Sequence, residues 1–201
     1  MVHIKKLKII MISIILAVIA LIPNNVLADG PSYDITNYDM DAYIQEDGTI
    51  HIDESITYYF SSSANGLTRD LRYFYKTNKD SMEPNSARYQ ATGIENITVA
   101  VTNPANITTN FTKASNAEKG DNGVYTVDAV NADRTDGYDI MVYSPISSNN
   151  FQTVHYSYDI TDAVVQYNDM SEIYYNFIGN GIETDVDEFN LDIYLPKSIN
   201  M

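Results

Sequence analysis

The chain has 201 residues, with no cysteine, no tryptophan and seventeen tyrosines, and its 27 acidic and 12 basic residues give a net charge of −15. The lack of cysteine excludes a disulfide framework and thiol chemistry. The acidic balance excludes an electrostatic footprint for nucleic acid or anionic headgroups.

Lys5, Lys6 and Lys8 precede an apolar run from Ile9 to Ile22 that is interrupted only by Ser13 and closed by Pro23. Val26-Leu27-Ala28 supplies small or modest side chains where a signal peptidase reads, and Asp29-Gly30 opens a polar chain. This is the layout of a helical secretory signal over residues 1–28, cleaved after Ala28. The alternative is an uncleaved anchor, but a run of about fourteen apolar residues falls short of the roughly twenty that cross a bilayer as a helix. The sequence therefore predicts an exported protein, secreted or at the cell surface, with one extracytoplasmic domain over residues 29–201. A domain of that size can bury about 70% of its unfolded surface without help from disulfides or metals. With three basic residues in the signal, nine remain against 27 acidic ones, so the domain carries −18.

After Asp29 no helical period is convincing, and period-two alternation recurs instead. Residues 33–45 read as a strand with Tyr38, Met40, Ala42 and Ile44 on one face. Glu46-Asp47-Gly48 signals a tight turn. Residues 49–60 form the clearest strand, with Ile50, Ile52, Ile56, Tyr58 and Phe60 sharing one parity. Shorter strands are expected near 67–75, 93–101, 107–112, 123–129, 137–143, 151–160, 172–178 and 188–195. Turn-rich stretches separate them at 61–66, 76–86, 114–123 and 131–137. The one helical candidate is a short turn over Thr161 to Tyr167. The pattern predicts an all-β domain, a two-sheet antiparallel β-sandwich of immunoglobulin-like general shape, with a closed barrel as the alternative.

Glu54 has the parity of the apolar face of its strand. A carboxylate there is desolvated and demands a cationic partner. Arg69 and Arg72 are the candidates, and Arg69 shares parity with Leu67 and Leu71. The expectation is a structural ion pair rather than a catalytic acid.

Other chemistries find little support. His51 and His155 read as half-exposed strand residues, and no Gly-x-Ser-x-Gly elbow occurs. Clustered zinc ligands are absent, as are a phosphate-cradling glycine loop and a basic patch. Acid pairs for glycoside hydrolysis could be drawn at will from so acidic a chain, and none stands out. The stretch from Asn131 to Gly137 superficially resembles a calcium loop but fails at its glycine and at its last ligand position. Asp133, Asp136 and Asp139 remain as irregular calcium candidates, as do Asp185, Asp187 and Glu188. No cofactor is expected.

Asp47-Gly48-Thr49-Ile50, Glu54, Tyr58, Phe60 and Gly66-Leu67-Thr68-Arg69-Asp70-Leu71 resemble the opening of the domain of unknown function 2207. Further matches are Ile94 to Val99, Tyr156-Ser157-Tyr158, Asn168-Asp169, Ile173-Tyr174-Tyr175-Asn176 and Leu191-Asp192-Ile193-Tyr194-Leu195-Pro196. Ile182 departs from the pattern, standing where tryptophan would be expected. The resemblance implies an extracytoplasmic β-sandwich at the N-terminus of an uncharacterised membrane protein, tethered by C-terminal helices. No second apolar run of membrane length precedes Met201, so the expectation is a domain whose anchor is missing, with a free secreted form as the alternative. It is expected to be a non-catalytic interaction or sensing module whose partner is an unknown protein or envelope component. The rivals are a hydrolase module acting on an envelope polymer and a spacer packing on membrane helices.

Overall fold

A computed structural model describes residues 32–75, 91–132, 135–179, 181–182 and 184–196, all within one compact unit. The signal segment with Ala28, the turn-rich stretch 76–86 and Asp133 lie outside the described residues. Every regular element described is a strand: β1 (Tyr33–Ile44), β2 (Ile50–Phe60), β3 (Ala64–Tyr75), β4 (Gly93–Thr102), β5 (Thr108–Asn110), β6 (Thr112–Lys113), β7 (Val124–Ala132), β8 (Thr135–Ile146), β9 (Asn150–Thr161), β10 (Val164–Gln166), β11 (Ser171–Ile173) and β12 (Phe189–Tyr194).

These strands form a six-stranded sheet in the order β12-β1-β2-β9-β4-β5 and a four-stranded sheet in the order β3-β8-β7-β6. A two-stranded ribbon, β10-β11, stands apart from both. The sandwich is antiparallel in the main, but β1 with β12 and β6 with β7 run parallel.

Alternation decides what is buried. In β2, Ile50, Ile52, Glu54, Ile56, Tyr58 and Phe60 all face inward, and their neighbours are half-buried or exposed. β9 repeats this with Val154, Tyr156, Tyr158 and Ile160. Leu67, Leu71, Ile140, Val142 and Tyr125 supply the core from the smaller sheet.

Two bulges switch parity. One between Ile35 and Asn37 lets both Ile35 and Tyr38 point inward. Another between Glu95 and Thr98, with Asn96 at φ 54°, does the same for Ile94 and Val99. An inserted residue flips every side chain after it unless the ladder absorbs it in this way.

Several boundaries differ from the sequence expectation. Of the turn expected over 131–137, the described residues belong to strands: β7 runs on to Ala132, β8 resumes at Thr135, and the two residues pair. Cross-strand pairing outweighs local turn propensity there. Thr161 to Tyr167 is not helical. Asp162 turns the chain at φ 53°, and the β-branched Val164 and Val165 enter the ribbon. The strand expected over 107–112 divides at Phe111, between β5 in one sheet and β6 in the other. The strand expected over 172–178 is confined to Ser171–Ile173.

Candidate functional site

Glu54 and Arg69 meet in the core, 2% and 3% exposed. Their placement follows from strand parity on two facing sheets. Arg69 Nε donates to Glu54 Oε1 at 2.9 Å, and Nη2 donates to Oε2 at 3.0 Å. Nη2 also donates to the Tyr38 hydroxyl oxygen at 2.8 Å, and that hydroxyl donates to Glu54 Oε2 at 2.5 Å. Nη1 donates to the carbonyls of Asp70 and Ile178 at 3.1 and 3.2 Å. All five N–H groups of the guanidinium thus have acceptors.

Burial by itself would lower the Arg69 pKa, but the Glu54 carboxylate and Tyr38 more than offset it and hold the value well above the ordinary one. Burial, then the Glu54 charge, pushes the Tyr38 phenol well above its usual range. Burial does the same to Tyr156 and Tyr158. The Glu54 carboxylate spends both oxygens on Arg69 and the Tyr38 hydroxyl. Its arrangement suits a structural clamp.

Arg72 does not join this cluster. Three residues from Arg69, it faces the other side of the sheet. There Nη2 meets Asp139 Oδ1 at 2.6 Å and Asp70 Oδ2 at 3.5 Å, and Nη1 donates to the Tyr138 carbonyl at 2.8 Å. Sequence reasoning missed Tyr38 as the third member, although it shares the inward parity of Met40 and Ala42.

The outer face of the larger sheet carries a polar network. Ser55 Oγ lies 2.7 Å from His155 Nδ1, and His155 Nε2 lies 2.8 Å from Thr102 Oγ1, which is 2.7 Å from Thr108 Oγ1. Two rows along on the same face, His51 Nδ1 lies 2.6 Å from Asp159 Oδ1, and Asn96 Nδ2 donates to Asp159 Oδ2 at 2.6 Å. Burial by itself would raise the Asp159 pKa, but the bonds from Asn96 and His51 leave it lowered. A depression of about 480 Å³ lies alongside, lined in part by Asp53, Ser55, His155, Ser157 and Asn110.

A serine hydroxyl on an imidazole is the start of a nucleophile. Here, among the described residues, no carboxylate hydrogen-bonds the His155 ring. β2 and β9 are interior strands whose backbone N–H groups are taken by the ladder, so none is free to hold an oxyanion. Sequence reasoning could not find this contact, because it depends on the register that sets Ser55 opposite His155.

Burial lowers the His155 pKa. Its contribution to stability is therefore complete above the ordinary histidine value and is lost as the pH falls through that range. Replacing it with glutamine removes this loss. The melting gap between wild type and His155→Gln should narrow between about pH 7.5 and pH 5. A gap independent of pH would contradict the assignment.

Among the described residues the calcium candidates do not assemble. The Asp139 carboxylate is held by Arg72, and Asp136 lies on β8 opposite Asn131. Among the described residues no three His, Cys, Asp or Glu side chains gather as a metal site, and this includes Asp185, Asp187 and Glu188.

A different surface lies at the end of the sandwich where β12 finishes. Among the described residues, most of the large exposed apolar side chains lie between residues 167 and 195. They are Tyr167, Met170, Tyr174, Ile178, Ile193, Tyr194 and Leu195. Between β12 and the ribbon lies a cavity of about 340 Å³ lined by Ile44, Val164, Ile173, Leu195 and Pro196, among others. The ribbon is fastened by the Val164 N–H, which donates to the Gly48 carbonyl at 3.1 Å.

A family model described as "Predicted membrane protein (DUF2207) N-terminal domain" matches residues 34–201. No curated protein matches the chain. Among solved structures, an M1 zinc metallopeptidase from Deinococcus radiodurans is similar over 64% of this chain and 20% of that one, with 11% identity and a TM-score of 0.32. A Legionella pneumophila protein proposed to bind nutrients is similar over 66% of this chain and 40% of that one, with 8% identity and a TM-score of 0.37. The chain thus spans well under half the length of either protein, and likenesses this distant do not bear on chemistry. Among the described residues no helix is long and apolar enough to cross a membrane.

Proposed function

The chain belongs to the DUF2207 family of predicted membrane proteins, matching its N-terminal domain over residues 34–201, and on that premise we propose that it is a non-catalytic interaction or sensing module on the outer side of the membrane. Its partner is a protein or another envelope component. The observation that carries this reading is the run of exposed apolar side chains Ile193, Tyr194 and Leu195 at the end of β12, with the cavity beside Leu195. Apolar groups left in water around a groove mark a place where something docks. Two further features support it. Among the described residues Glu54 is the one buried carboxylate, and Arg69 closes it off. Among the described residues the Ser55–His155 contact has neither an acid nor oxyanion donors. Export follows from the basic and apolar layout of residues 5–28.

The experiment sets this reading against a hydrolase acting on an envelope polymer. Incubated with isolated cell wall, the purified protein should release no soluble fragments. Release that disappears in Ser55→Ala or His155→Gln would reverse the conclusion.

One observation favours a second reading, the spacer that packs on membrane helices: the apolar patch lies at the end of β12. A photo-reactive group placed at Tyr194 separates the two. Attachment to a membrane-embedded chain supports the spacer, and attachment to a soluble or wall-bound partner supports the docking module.

A further inference from the structure

We propose that the free edge of β12 receives an extended polypeptide strand whose side chains alternate between apolar and basic, adding a seventh strand to the larger sheet. The proposal rests on the docking reading above and assigns the partner its chemistry.

Each sheet has two edges. β5 and β6 are three and two residues long, too short to template a strand. β3 is long, but Ile178, Gly179 and Gly181 lie against it. Arg69 Nη1 holds the Ile178 carbonyl at 3.2 Å, and a side chain at Gly181 would strike the Asp70 carboxylate. β12 is six residues long and pairs on one side only, with β1, among the described residues.

The parallel ladder uses the backbone of alternate residues. Tyr38, in register with Phe189, donates its N–H to the Glu188 carbonyl at 2.9 Å. Glu188, Asn190, Asp192 and Tyr194 therefore turn their backbone groups toward β1. Those of Phe189, Leu191 and Ile193 turn outward. A row of unpaired N–H and C=O groups is a template for another strand.

Side chains on the two faces specify what that strand carries. Phe189, Leu191 and Ile193 continue the inward parity set by Tyr38, Met40 and Ala42. Phe189 and Leu191 are half-buried, yet Ile193 is 49% exposed, and it leads to Leu195 beside the 340 Å³ cavity. Apolar side chains on an added strand would cover these groups. On the outer face Asp192 stands in register with Asp41, and Asp41 with Asp53, while Asn190 stands beside Asp39. Directly opposed like charges destabilise a sheet and opposite charges support it. The outward positions of an added strand therefore favour Lys or Arg. Tyr194, stacked on Tyr43 at 4.7 Å, presents its remaining ring face to such a cation. The same acids argue against a second copy of this chain, because pairing β12 with β12 would bring Asp192 and Asp41 of two molecules together.

The test is titration of the whole protein with three short labelled peptides: alternating Val and Lys, alternating Val and Glu, and a block arrangement of Val and Lys with the alternation destroyed. The alternating Val–Lys peptide should bind at least about tenfold more tightly than either of the others. Ile193→Pro removes an outward N–H while leaving the bonds to β1, since proline is tolerated on an edge strand. This variant should melt close to wild type and lose about tenfold or more in affinity for the alternating peptide. Asp192→Lys should shift preference toward the Val–Glu peptide. Equal binding of the two Val–Lys peptides, or binding indifferent to Ile193→Pro, would show attraction to the acidic surface alone and overturn the proposal. No binding at all would also overturn it. A partner captured at Tyr194 in that case would leave the docking reading intact, whereas failure of both experiments would remove both.

Discussion

Glu54→Gln is expected to melt roughly 6–20 °C below wild type. Removing one partner of a buried pair costs about 3–5 kcal/mol, since the other charge stays in the core uncompensated, and each kcal/mol moves a domain of this size by about 2–4 °C. The geometry places the effect toward the upper part of that range. Arg69 is 3% exposed and spends three of its five N–H groups on Glu54 and Tyr38. A neutral amide would keep the shape and lose the charge. Arg69→Met should cost as much by the opposite route, stranding the carboxylate and freeing the Ile178 carbonyl. The double variant Glu54→Leu with Arg69→Met should recover much of the loss, because replacing both ions with apolar groups is often neutral or better. Thermal melts of the three variants decide the matter. A Glu54→Gln protein that melts with wild type would mean that the clamp contributes nothing.

Gly66→Ala carries the second large effect, about 1–3 kcal/mol of destabilisation or more. Gly66 sits at the bulge where β3 meets β8, paired with Tyr143. A methyl group there would fall well inside van der Waals contact with the Val142 carbonyl oxygen, 3.0 Å from Val142 C and 3.3 Å from Tyr143 Cα. All three atoms belong to the backbone of a paired strand, so no side chain can swing aside. Gly137, at the other end of the same strand pair, is under the same constraint from the Leu71 carbonyl. Alanine at either position should lower the denaturant midpoint while leaving the slope unchanged. Gly123→Ala is the control. A Cβ there meets nothing within 4 Å, but its φ of +81° still strains an alanine, so a smaller cost separates backbone strain from steric collision. Equal losses at Gly66 and Gly123 would refute the collision account.

What could be read in advance follows from the period of two. Ile50 to Phe60 alternates without interruption, so the inward position of Glu54 was legible before any coordinates, and Arg69 was legible by the same rule between Leu67 and Leu71. Arg72, the other candidate partner of Glu54, runs against that rule, since three residues along a strand reverse the face, and it meets Asp139 instead. The bulges at Ile35 and Glu95 were not legible, because one extra residue in a ladder leaves no mark on composition. Nor was Ser55 beside His155: their meeting depends on a register between strands a hundred residues apart in sequence. The surface around Ile193 to Leu195 was hidden for a different reason. Its alternation reads like any half-buried strand, and only the sheet order reveals that no neighbour among the described residues covers its far side.

The parallel pairing of β12 with β1 has a mechanical consequence. Tyr38 to Tyr43 lies alongside Phe189 to Tyr194, with both strands running in the same direction. A pull that draws the start of β1 and the finish of β12 apart acts along the strands, in shear. All the rungs between them then bear the load together. In an antiparallel hairpin such as β1-β2, tension on the two free ends opens the rungs one after another. A domain loaded through such a strand can transmit tension through its larger sheet before any strand peels away.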